Sequence, residues 1–177
     1  LLKTEFKTEE NLSIDGPATF SLEGVSFGYT PVLPPLIQDL NLKVSKGQRI
    51  ALVGNSASGK STVARLIAGL LQPTEGVVKI NEKSLLGLSQ QERTRTIAMV
   101  QQGMPLLSTT VRNNLSLFNH NISDDEIQAA CTTAGIWKQI QQLPNGLETT
   151  FGRGGQDLSG GEKQRLQIAQ ALLQKPS

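Results

Sequence analysis

The chain has 177 residues, enough for one ordinary domain with a sizeable core. Its hydrophobic share of 37% and charged share of 18% are those of a globular protein, and a net charge of +2 gives no basis for nucleic-acid or polyanion binding. A single cysteine, Cys131, excludes an internal disulfide and fits a reducing compartment. No apolar run reaches the ~18 residues that span a bilayer, and no signal peptide opens the sequence, so any membrane role would belong to a partner or to another segment.

Residues 1–17 are polar, lack a sustained period and end in Asp15-Gly16-Pro17, which reads as a linker. From Ala18 the pattern alternates: Phe20, Leu22, Val25 and Phe27 read as a strand interrupted by Gly24. Tyr29 follows, and Pro31, Pro34 and Pro35 then forbid regular structure. Residues 36–44 alternate well enough for a second strand, which Ser45-Lys46-Gly47 closes.

Ile50-Ala51-Leu52-Val53 reads as a short buried strand, and it runs into Gly54-Asn55-Ser56-Ala57-Ser58-Gly59-Lys60-Ser61-Thr62. A strand, a glycine-flanked loop, a lysine, a hydroxyl and a helix form the arrangement that cradles nucleotide phosphates. Loop N–H groups and the helix N-terminus supply the anion site. Lys60 would reach the β- and γ-phosphates, and the Ser61 hydroxyl would sit on Mg²⁺. The helix, expected over residues 62–71, places Val63, Leu66, Ile67, Leu70 and Leu71 on one face.

A short strand is expected at residues 77–81, a helical turn within 85–95, and a buried strand at 96–100 leading to Gln101 and Gln102. Beyond Pro105 the character becomes helical, first over residues 111–118. Ser123-Asp124-Asp125-Glu126 is a capping box with extra carboxylates in the first turn. The helix behind it puts Ile127, Ala130, Cys131 and Ala134 on one face, so Cys131 reads as a small core residue. Trp137, Ile140 and Leu143 continue the stripe until Pro144-Asn145-Gly146. After a glycine-rich loop at 151–156, Ser159 is a natural N-cap of a last helix whose Leu166, Ala169 and Leu173 share a face. Gly160 and Gly161 would let a phosphate approach its backbone closely.

These motifs, in this order, resemble the ATP-binding domains of ABC transporters over nearly all of residues 18–177. Gly54 to Ser61 looks like the Walker A loop, and Leu158-Ser159-Gly160-Gly161-Glu162 like the signature sequence. Tyr29 falls where the family's aromatic stacks on adenine. Gln102 falls where its glutamine senses Mg²⁺ and the attacking water and touches the membrane domain. Thr110-Val111-Arg112-Asn113-Asn114-Leu115 resembles the helical segment of exporter-type members. Within the family, the run from Tyr29 to Ile37 is similar to exporters of leader-peptide-bearing bacteriocins and related natural products.

The resemblance implies an α/β fold: a P-loop NTPase of ABC type with a RecA-like core, an antiparallel β subdomain and a helical subdomain at about 104–160. Residues 1–17 would link it to a preceding membrane domain. It also implies a head-to-tail pair of such domains, with ATP and Mg²⁺ enclosed between the Walker A loop of one and Ser159–Gly161 of the other. Lys60 and Gln102 would be catalytic, Ser61 and Gln102 metal-associated, and Tyr29, the loop 54–62, Ser159, Gly160 and Gly161 nucleotide-binding. The partner would be a transmembrane domain in the same polypeptide, exporting a peptide or related substrate, with the ATP-binding domain as a soluble module at the cytoplasmic face of the cell (inner) membrane.

Three departures stand out. Ala57 occupies a position that is often glycine, tolerable if its φ is negative. Arg153 replaces a usually acidic residue. The family's Walker B strand, with its aspartate and the catalytic glutamate, would follow Ser177, as would the switch histidine; His120 reads instead as a solvated loop residue. The expectation is therefore a piece of a longer polypeptide, poorly stable alone, that binds ATP and hydrolyses little. Open alternatives are a soluble ABC-type ATPase in DNA repair or translation, another P-loop NTPase, and a nucleotide-binding structural clamp.

Overall fold

The computed structural model describes residues 18–152 and 158–176; the linker-like residues 1–17 and Arg153 lie outside them. The backbone divides into two compact units, one reaching Ile97 and the other spanning Ala98–Pro176. Each has its own apolar core.

The first unit is built on an antiparallel sheet ordered β2-β1-β3-β4, from strands Phe20–Phe27 (β1), Ile37–Val44 (β2), Glu75–Ile80 (β3) and Lys83–Ser84 (β4). Leu22 faces Leu42 on one side and Val78 on the other, so the central strand stacks apolar residues across the sheet. Leu22 and Val25 on β1 are buried together with Val63 and Leu66 of helix Lys60–Ile67 (α1). Register breaks around Gly24, at φ 59°, and Gly76, the second residue of β3, sits at φ 77°.

Helix α1 is shorter than its apolar spacing predicts. It stops at Ile67 because Gly69 adopts φ 69°, with the Leu70 N–H donating to Arg65 O at 2.9 Å and the Gly69 N–H to Leu66 O at 3.1 Å. That pairing is a Schellman termination. Leu70 is left exposed, off the helical face on which its spacing had placed it.

The predicted strands at 50–53 and 96–100 have no ladder partner among the described residues. Thr96 instead ends a short helix, Gln90–Thr96 (α2), whose N-terminus carries a Ser89–Glu92 capping box. An apolar run becomes a strand when another strand lies beside it, and periodicity alone does not supply one.

The second unit is helical: Val111–Ser116 (α3), Asp124–Thr133 (α4), Trp137–Gln142 (α5) and Gly160–Leu173 (α6). Ser123 caps α4 through the predicted box with Glu126. Gly135, at φ 72°, ends it in another Schellman turn, Ile136 N–H to Cys131 O at 2.9 Å. The core gathers Val111, Leu115, Ile127, Cys131, Ile136, Ile140, Leu166 and Ala169. Cys131 is fully buried there, and burial pushes its thiol up to about 12, as a core residue rather than a nucleophile requires.

Ion pairs brace this unit from outside. Arg112 on α3 grips the Asp124 carboxylate with both terminal nitrogens and donates its Nε to Glu148 at 2.5 Å. Lys175 donates to Glu126 at 2.7 Å. Arg112 holds Asp124 below its ordinary value of 3.8. Lys175, with help from Ser123, lowers Glu126 from 4.5 to about 2. A depressed carboxylate contributes stability that is present above its unfolded value and lost as pH falls through its folded one. The unit should therefore lose stability between about pH 4.5 and pH 2. Far-UV circular dichroism melts across that range check this, and Glu126→Gln should flatten the slope. An unchanged slope in that variant would assign the acid sensitivity elsewhere.

Candidate nucleotide site

In the first unit, α1 begins on Gly59 at φ 90° with no side-chain cap, whereas α2, α4 and α6 each open on a capping box. The first N–H groups of a helix lack intrahelical partners, so an uncapped start leaves donors for an external acceptor. A Cβ on Gly59 would stand 2.7 Å from Ile37 Cδ1, so a larger residue there would displace the end of that side chain as well as strain the backbone. A Cβ on Gly54 would meet Ser58 Oγ at 2.8 Å. Both glycines of the predicted loop are thus favoured by a positive φ, and a Cβ at either would also make a neighbouring side chain shift.

Lys60 folds back over that loop. Its Nζ donates to Gly54 O at 2.8 Å, Asn55 O at 2.5 Å and Ser58 Oγ at 3.2 Å. The ammonium therefore sits over the turn whose amides would face a phosphate, with exposed Ser61 beside it. An arriving phosphate would exchange its oxygens for those weak neutral acceptors, which favours a charge-assisted contact.

Ala57 departs from expectation. Its φ is +63°, not negative, so the methyl group is held in the left-handed region. Glycine there removes a penalty of about 1–2 kcal/mol but adds unfolded-state entropy of about 0.5–1 kcal/mol. Ala57→Gly is expected to stabilise the fold by about 0.5–1 kcal/mol in urea unfolding. A less stable variant would contradict the conformation described.

Tyr29 stands beyond the end of β1, 60% exposed, its ring edge-on to Phe27 at 5.0 Å and its hydroxyl 3.1 Å from Thr62 Oγ1. Tyr29, Leu36 and residues 57–62 line one hollow of about 390 Å³. The predicted aromatic platform and phosphate loop thus share a cavity. Leu36, which adds an apolar wall, was hidden in sequence by its place at the head of an alternating strand.

In the second unit, Ser159 caps α6. It accepts the Glu162 N–H at 3.4 Å, while its own N–H donates to Glu162 Oε2 at 2.8 Å. Gly160 and Gly161 are exposed, with open space at the former where a Cβ would be. Gln102 is exposed in a turn, and the structure brings it to the rim of a hollow of about 490 Å³ that Gly160 and Gly161 also line. Gln167 holds that turn, its Nε2 donating to Met104 O at 2.9 Å.

Asn114 performs the same service one loop later, bonding Leu107 N and O and Thr110 O from a buried position. Its signal is readable: Val111, Asn114 and Leu115 share one helical face, so a polar group there needs backbone partners. His120 is exposed in a turn, as expected of a solvated loop residue. Among the described residues, no group of three or more His, Cys, Asp or Glu could hold a metal ion, and no helix is long and apolar enough to cross a membrane. Ser61 offers a hydroxyl beside the loop, a fit for Mg²⁺ that takes most of its ligands from phosphates and water.

Comparison with known proteins agrees with this geometry. The ABC transporter family profile matches residues 37–177. The ATP-dependent lipid A-core flippase of Alcanivorax borkumensis is 38% identical over 98% of this chain and 30% of its own length. Human ATP-binding cassette sub-family B member 5 is 36% identical over 93% of this chain and 13% of its own. The solved structure of a bacterial Atm1-family ABC exporter with ATP bound aligns with a TM-score of 0.86 and 33% identity, over 97% of this chain and 30% of that one. The chain thus spans under a third of those proteins, and it belongs to the ABC transporter family.

Proposed function

We propose that the chain is the ATP-binding and hydrolysing module of an exporter. The observation that carries this is the single hollow in which the uncapped start of α1, Lys60 and Tyr29 converge. The names of the relatives support it, since one is described as a lipid A-core flippase and the matching structure as an exporter with ATP bound.

In this reading Tyr29 stacks on the base, the loop 54–62 and Lys60 hold the phosphates, and Ser61 takes Mg²⁺. The metal would neutralise charge building on the phosphoryl oxygens. Gln102 would position the attacking water. Ser159, Gly160 and Gly161 would meet the nucleotide bound by a second copy, arranged head to tail. Residues 18–177 then form the ATP-binding domain, and residues 1–17 lead to it from a transmembrane domain, with the module at the cytoplasmic face of the membrane. A peptide cargo is the narrowest element of the proposal and rests on the proline-rich run from Tyr29 to Ile37.

Calorimetric titration of the chain with ATP and Mg²⁺ tests the reading. Saturable binding at one site is expected, and no binding to the folded chain would overturn it.

A further inference from the structure

The hydroxyl contact between Tyr29 and Thr62 joins the two halves of the proposed site. Thr62 lies in the first turn of α1, 5% exposed, with a β-branched side chain that has little freedom at χ1. Tyr29 is 60% exposed and follows the last residue of β1 by two positions. A ring so open to solvent would ordinarily sample several rotamers. Two contacts restrain it: the Phe27 edge at 5.0 Å and the Thr62 hydroxyl at 3.1 Å. The first fixes one side of the ring, and the second fixes its far end against the phosphate-loop helix.

We infer that Thr62 is a positioning residue, whose hydroxyl presets the Tyr29 ring for the base while the neighbouring backbone receives the phosphates. The inference rests on the nucleotide reading above and deepens it. Preorganisation lowers the cost of ordering a group on binding, and that saving is lost when the tether is cut even though the ring remains. Thr62 thereby sets the spacing between base and phosphates, so its loss lowers the ratio of ATP affinity to base-free phosphate affinity, and any share Thr62 has in holding the phosphates cancels from that ratio.

The test compares ATP with inorganic tripolyphosphate, which carries phosphates and no base, in calorimetric titrations of the full chain. The readout is the ratio of the two affinities. Tyr29→Phe and Thr62→Val are each expected to lower the preference for ATP by about three- to tenfold. The double variant should lower it no further, and Thr62→Ser, which restores a hydroxyl, should recover most of it. Additive losses in the double variant would overturn the inference, as would an unchanged ratio in Thr62→Val. Wild-type protein that binds tripolyphosphate and ATP equally would remove the base platform while leaving the phosphate loop intact. Wild-type protein that binds neither would overturn the nucleotide reading itself, and the tether with it.

Discussion

Lys60→Ala is expected to weaken ATP binding by about ten- to a hundredfold, the equivalent of one charge-assisted contact of about 1.5–3 kcal/mol. In the free protein the ammonium is held by Gly54 O, Asn55 O and Ser58 Oγ. Those acceptors lie in an exposed loop, so water replaces the amine and the fold should hardly notice its removal. Binding is different, because among the described residues no other cation lines the hollow that Lys60 shares with Tyr29. Titration calorimetry with matched circular dichroism melts separates the two effects: affinity should fall while the melting temperature stays within a degree or two, taken as about 0.5 kcal/mol. Equal affinities for wild type and variant would count against the whole assignment of this loop.

Gly76→Ala is expected to destabilise the first unit by about 3 kcal/mol or more. The added Cβ would stand 2.3 Å from Gly24 O and 2.4 Å from Glu23 O, and Gly76 is already at φ 77°. Backbone cannot swing aside as a side chain can, and here it is the backbone of β1, paired on both edges. Gly47 provides the control, with φ 72° and nothing within 4 Å of its would-be Cβ. Gly47→Ala therefore carries the conformational penalty alone, about 1–2 kcal/mol. Amide hydrogen exchange along β1 and β3 reads the difference. Equal protection in the two variants would show that the close approach does not limit the sheet.

The parts legible in the sequence were those decided locally. The loop 54–62, the caps at Ser123 and Ser159, and the buried faces of α4 and α6 follow from residue spacing and from backbone groups that need partners within a turn. Misreadings came where the deciding partner lay elsewhere. Residues 70 and 71 continued the helical period, but Gly69 offered a left-handed exit that the period does not register. Residues 50–53 looked like a buried strand, yet burial and pairing depend on segments distant in sequence. Ala57 was expected to be tolerable at a negative φ, whereas it sits at +63°, a loop conformation that residue spacing does not register. Leu36 and Gln167 were missed as site components because each reaches its role through a contact distant in sequence, with the phosphate loop and with Met104.

That same run, Ile50 to Val53, bears on how these 177 residues, taken by themselves, behave in a tube. Val53 is 88% exposed, Ile50 40% and Leu52 42%, on extended-type sequence without a ladder among the described residues. Unpaired backbone flanked by branched apolar side chains is a template on which another extended chain can lay itself down. Arg49 and Lys46 guard its N-terminal side by charge repulsion, and no charged residue follows it before Lys60. Salt that screens those two charges removes the guard, so colloidal stability should fall as ionic strength rises, opposite to what simple salting-in would give.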